Sequence, residues 1–179
     1  SGQNGALMLG ITPSGGNYAS LWTDFDNDGD SDMFISKCSG PPCEMHRNDG
    51  NGVFTDVSAL AQINVTPIQT WSSAIADFDN DGKRDMIITN GYPRDVTDND
   101  FISYRQDFGT YASWETLLEK IPQIKIANYA FKNNGQLGFE DVTKSWGMDL
   151  PTFSNGAVYV DLDKDGDLDY VVNNINDLA

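Results

Sequence analysis

Short apolar runs punctuate the chain in pairs, and the residues between the members of each pair are almost wholly polar. Leu21-Trp22-Thr23 precedes Met33-Phe34-Ile35, Ala74-Ile75-Ala76 precedes Met86-Ile87-Ile88-Thr89, and Val158-Tyr159-Val160 precedes Tyr170-Val171-Val172. Runs this short and this rich in β-branched and aromatic residues predict buried strands, since a helix would need apolar residues every three to four positions over a longer window. Each pair is therefore predicted as a β-hairpin. A second kind of hairpin follows the first two: residues 45–58 and 130–143 both read as strand, Asn/Gly turn and strand. The repeating unit is strand, polar loop, strand, turn, strand, Asn/Gly turn, strand. Four antiparallel strands in this order make one blade of a β-propeller. The predicted fold class is all-β, a single partial β-propeller domain over 1–179. Blade one lies at about 18–57, blade two at about 71–142, and half of a third blade at about 156–173.

The second unit is longer than the first by about 32 residues, which fall within about 91–128. This helical insertion carries Tyr92, Phe101, Tyr104, Phe108, Tyr111 and Trp114. Ser113 is placed to cap a helix through Leu117-Leu118-Glu119-Lys120 that Pro122 would end, and a further helical turn is predicted around Asp100 to Asp107. The insertion reads either as a flap burying its aromatics against the sheets or as a partner-binding element.

The polar loops hold the candidate chemistry. All three spell Asp-x-Asp-x-Asp-Gly-x-x-Asp: Asp24, Asp26, Asp28, Gly29 and Asp32; Asp77, Asp79, Asp81, Gly82 and Asp85; Asp161, Asp163, Asp165, Gly166 and Asp169. Carboxylates at alternate positions surround one point, and glycine at position 6 takes the tight turn that closes the loop over a cation. Four carboxylates, the backbone carbonyl at position 7 (Asp30, Lys83 and Asp167) and a water would give Ca2+ its six to eight oxygens, so one ion per loop makes about three. Mg2+ demands stricter octahedral geometry, and the loops contain no His or Cys to favour zinc or copper. An EF-hand-like loop would place an oxygen ligand at position 12 and enter a helix. Here position 12 is Ile35, Ile88 and Val172, and strands follow.

Charge and composition narrow the function classes. Of 27 acidic residues 14 lie in the loops, so the formal net charge of −16 is concentrated there. Three bound calcium ions would bring it to about −10. With no basic stripe, such a surface disfavours nucleic acid and anionic lipid. No apolar run is long enough to span a membrane directly, and no signal peptide is recognisable. The opening Ser1-Gly2 is expected to be an internal start or a processed end. Cys38 and Cys43 flank a Ser-Gly-Pro-Pro turn and read either as a short-loop disulfide or as two thiols. His46, the single histidine, aligns with Phe131 and reads as a strand residue. No Ser/His/Asp set can be assembled, and no carboxylate pair outside the loops suggests glycoside hydrolysis. Asn64-Val65-Thr66 is a glycosylation sequon, meaningful only in a eukaryotic secretory host.

The segments DFDNDGDSD, HRNDGNGVFTDVS and NGAVYVDLDKDGDLDYVVNN resemble FG-GAP/VCBS repeats of the kind found in integrin α-subunit propellers. In combination they resemble bacterial proteins of the ASPIC/UnbV and cartilage-acidic-protein (CRTAC) group, over most of residues 16–176. The resemblance implies a β-propeller in which each Asp-rich loop holds calcium. Propellers of that family have around seven blades, and their C-terminal ASPIC segment has no counterpart here. The chain is therefore expected to belong to a larger protein, whose missing blades, or another chain, cover its sheet edges.

Two functions fit these features. The favoured one is a noncatalytic, calcium-binding module of a secreted or cell-surface protein, bacterial outer surface and periplasm included, that binds an extracellular protein or a glycan. The alternative is the scaffold of a carbohydrate-active enzyme, with catalytic residues elsewhere or among Asp95, Asp98, Asp100 and Asp107 of the insertion.

Overall fold

A computed structural model describes residues 11, 16–38, 41–63, 70–135 and 137–175. Asn64 of the sequon and the side chain of Cys38 lie outside the described residues. Strands β1 (Gly16–Thr23), β2 (Asp32–Cys38), β3 (Glu44–Asn48) and β4 (Phe54–Asp56) form one antiparallel sheet in that order. Strands β5 (Thr70–Ala76), β6 (Asp85–Asn90), β8 (Tyr129–Asn133) and β9 (Phe139–Asp141) form a second sheet of the same topology. A third hairpin joins β11 (Ser154–Val160) to β12 (Asp169–Asn174). Between β6 and β8 run the helices α1 (Asn99–Phe108) and α2 (Trp114–Lys120) and the short strand β7 (Ile126–Ala127), which pairs with β10 (Pro151–Thr152).

The three loop-bearing hairpins share one register. Thr23 pairs with Asp32, Ala76 with Asp85 and Val160 with Asp169, so each Asp-rich loop spans the same gap between strand ends. Each first strand also shifts register near its start, between Asn17 and Ala19, Thr70 and Ser72, and Ser154 and Gly156.

Alternation along the strands distributes the core into two layers. Side chains of a strand point to opposite faces in turn, and β6 is buried on both. Met86 and Ile88 join Phe25, Phe34, Met45, Phe131 and Phe139 in a cluster between the first and second sheets. Ile87 turns the other way, with Ala130 and Val142, onto Phe78, Trp146, Met148 and Tyr170 beside the third hairpin. The residue at position 2 of each loop follows this progression. Phe25 is 2% exposed against the second sheet, and Phe78 makes edge contacts with Trp146, Tyr159 and Tyr170. Leu162, the third, is 64% exposed, as is the valine pair Val158 and Val171 on the outer face of its hairpin at 57% and 44%.

Several sequence expectations are resolved by this packing. Cys43 is a buried free thiol with its Sγ 3.5 Å from the backbone nitrogen of Lys37, so the disulfide reading of Cys38 and Cys43 does not hold. His46 is a buried residue of β3 with Nε2 3.2 Å from Glu44, which also pairs with Lys37 at 3.1 Å. Asp98 caps α1 by accepting from the Phe101 nitrogen, and Ser113 caps α2 by accepting from the Thr116 nitrogen. Gly91 opens the insertion at φ +118, and a Cβ there would lie 2.4 Å from the Thr152 carbonyl oxygen, so glycine is required where the chain crosses β10. The flap reading holds in part: Phe101 is buried, and half-buried Tyr92 packs edge-on against Trp71, whereas Phe108, Tyr111 and Trp114 face solvent. No described helix is long and apolar enough to cross a membrane.

The unequal burial at position 2 gives a direct test. Phe25→Ala empties a packed site and is expected to lower stability by about 3–5 kcal/mol in urea unfolding, whereas Leu162→Ala is expected to stay within about 0.5 kcal/mol of the parent.

Candidate metal centres

Three groups of carboxylates converge at the loops: Asp24, Asp26 and Asp32; Asp77, Asp79 and Asp85; Asp161, Asp163 and Asp169. Within each group the ligand-capable oxygens lie within 4.8 Å of one another. These are positions 1, 3 and 9 of the repeat. The loop backbone is what brings them together. Gly29, Gly82 and Gly166 at position 6 have φ of +97, +87 and +98, a conformation open to glycine at no steric cost. Position 4 is left-handed as well, at φ 61, 59 and 64; Asn27 and Asn80 tolerate this, while Lys164 adopts it at a cost.

Backbone amides then fix the carboxylates. Position 1 accepts two bonds in every loop: Asp24 from the nitrogens of Asp28 and Gly29, Asp77 from Asp81 and Gly82, and Asp161 from Lys164 and Gly166. Position 9 reaches back to the nitrogen of position 2, with Asp32 on Phe25 at 3.0 Å, Asp85 on Phe78 at 3.1 Å and Asp169 on Leu162 at 2.8 Å. In the two complete sheets the other oxygen of that carboxylate accepts from the third strand, Asn48 at 2.8 Å for Asp32 and Asn133 at 2.9 Å for Asp85. Asp32 and Asp85 thereby tie loop, hairpin and third strand to one point, fully buried.

Position 5 stands beside the converging groups. Asp28, Asp81 and Asp165 each accept through Oδ1 from the nitrogens of Asp30, Lys83 and Asp167, which closes the turn. The position 7 side chains are also engaged elsewhere: Lys83 donates to Asp81 at 2.8 Å, and Asp167 accepts from Asn80.

The groups fit a hard cation. Every donor is a carboxylate oxygen, which suits calcium-like ions and not soft metals. Asp26 Oδ1 is buried with no hydrogen-bond partner, an acceptor oriented without a donor to meet it. Burial pushes the carboxyls of Asp26, Asp32 and Asp85 above the usual carboxylate range, and for Asp26 the neighbouring Asp28 and Asp24 push in the same direction. A bound cation would offset both the desolvation and the repulsion.

Some contacts around the loops escape a reading of one repeat at a time. Asn27 Nδ2 donates to the Gly82 carbonyl at 3.4 Å, and Asn80 Nδ2 donates to the Gly166 carbonyl at 3.1 Å, so position 4 of one loop bonds position 6 of the next. Asn133 Nδ2 donates to the Phe25 carbonyl at 2.7 Å and joins the first loop to the second sheet. The recurrence of Asn at position 4 in two loops was the available signal. In the insertion, Asp95 accepts from Thr97 and Asp98 serves as the α1 cap, so both carboxylates are committed to local turns.

The double anchoring of position 9 predicts an asymmetry between loops. In metal-free buffer Asp85→Ala leaves the buried Asn133 and Phe78 amides without their acceptor and is expected to cost about 2 kcal/mol or more in urea unfolding. Asp169→Ala, at an exposed loop, is expected to cost less than half of that.

Comparison with known proteins agrees with this repeat geometry in part of the chain. No curated protein matches the sequence. Residues 10–88, which span the first sheet, the first two Asp-rich loops and β6 as far as Ile88, match the FG-GAP-like repeat.

Proposed function

We propose that this chain is a calcium-binding, propeller-like module of a secreted or cell-surface protein related to the ASPIC/UnbV and CRTAC group, in which the ions are structural and the module binds an extracellular protein or a glycan. The observation that carries this reading is the recurrence of the same converging carboxylate triad at the same register of three successive hairpins. Each ion neutralises its triad and holds two strand ends together, so occupancy stabilises the fold without chemistry. Asp24, Asp26, Asp28 and Asp32, with their counterparts, supply carboxylates, and the carbonyls of Asp30, Lys83 and Asp167 and a water complete the shell.

Two surfaces suit partners. The insertion presents Phe108, Tyr111 and Trp114 to solvent beside a groove of about 520 Å³ lined by residues including Phe101, Arg105, Trp114 and Leu117. Exposed aromatics of this density serve protein or glycan recognition more often than solubility. The outer face of β11 and β12, with Val158, Val171 and Leu162 exposed, suits a further blade of the parent protein or another chain, because the equivalent face of the second sheet is covered by the third hairpin.

Thermal unfolding with and without calcium tests the reading. Millimolar-range sites, of the kind extracellular modules use, would each add on the order of 1–3 kcal/mol at ten- to hundredfold saturation, giving a melting temperature that climbs with calcium and a stoichiometry near three. A melting curve indifferent to calcium up to 10 mM would overturn it.

A further inference from the structure

The three loops do not meet a cation on equal terms. Lys132 of β8 faces Glu140 across the β8–β9 pair, yet its ammonium reaches loop two, where it bonds Asp79 and lies 3.3 Å from Asp81. Asp79 is one of the three converging carboxylates of that loop. Lys83 adds a second ammonium on Asp81, whose carboxyl is held down to about 2 by Lys83, with Lys132 contributing. Loop two thus already contains a positive group at one of its ligand positions.

Loop one escapes this arrangement through a single residue. The counterpart of Lys132 in the first repeat is Arg47. Its Nε and Nη2 both lie 2.7 Å from Asp49, in the Asn/Gly turn, whose other oxygen accepts from Thr55. The second repeat has Asn134 where the first has Asp49. A charged turn residue takes the guanidinium's ion pair, so that Arg47 acts on Asp26 of loop one only as a weak field from a distance; a neutral one leaves the ammonium to pair with two loop carboxylates. In loop three no cationic side chain among the described residues forms an ion pair with Asp161, Asp163 or Asp169.

We propose that Lys132 is an internal competitor for the cation of loop two, so that loops one and three fill first and loop two fills only when the ammonium is displaced from Asp79. The inference rests on cation binding by the loops. It makes the central loop, which lies between the other two, partly self-neutralised when cation is scarce, and it makes Asp49 the residue that preserves high affinity in loop one.

Calorimetric titration of the full chain with CaCl2 tests this directly. The parent is expected to show two tighter sites and one weaker. Lys132→Met is expected to tighten the weaker site by about fivefold, the range for a partly exposed ion pair removed from competition, and to have no effect when Asp77→Asn has disabled loop two. Asp49→Asn, which recreates the second repeat's turn in the first, is expected to weaken one tighter site by a similar factor. A parent that takes up calcium with affinities unchanged by both Lys132→Met and Asp49→Asn would overturn the competition while leaving the loops as calcium sites. Absence of calcium uptake by the parent would overturn both.

Discussion

Like charge gathered at one point is the constraint on which this structure depends. Three carboxylates with oxygens inside 4.8 Å repel one another, and the fold keeps them together by spending backbone donors on them. Two amides hold position 1, one holds position 9 from within the loop, and in complete sheets a third strand adds another. Because those donors come from fixed places in the chain, the loop determines which residues of the flanking strands face each other. The shared register of the three hairpins follows, and with it the alternation that sends Met86 and Ile88 to one layer and Ile87 to the other.

What could be read from the residues was whatever repeats locally. Paired apolar runs of three or four residues identified the hairpins, and glycine at position 6 identified the turn, because both depend on near neighbours in sequence. The carboxylate geometry was legible only in part. Positions 1, 3 and 9 converge as spacing suggests, and position 5 also accepts from the amide of position 7, a hydrogen bond that residue type does not encode. The contacts of Asn27, Asn80 and Asn133 join units far apart in the chain and have no local signature. The second helix of the insertion was visible from its Ser113 cap and its Pro122 stop, whereas the Asp98 cap of α1 was not read from the sequence. Which of its aromatics are exposed depends on how it sits on the sheets, and Tyr111 and Trp114 turn outward where Phe101 turns in.

The deviations between repeats are as informative as the repeats. Phe131 is replaced by His46, which sits buried beside Glu44 and Lys37 and brings polar chemistry to a position whose counterpart is apolar. A buried charge set of this kind contributes little net stability, since desolvation opposes the attraction, but losing one member strands the others. Asn80 and Asn27 at position 4 link their loops forward, whereas Lys164 at the same place in loop three has no side-chain amide to do so.

The burial of Phe25 by the second sheet, and of Phe78 by the third hairpin, gives the molecule a direction in time as well as in space. During synthesis the first sheet emerges with its position 2 aromatic uncovered, and only the arrival of the next unit hides it. Folding from the ribosome therefore runs as a series of deferred closures, each unit waiting one step for its successor. The interval between units, set by elongation rate and by the length of the insertion in the second, is the period in which an apolar face stands open to a chaperone.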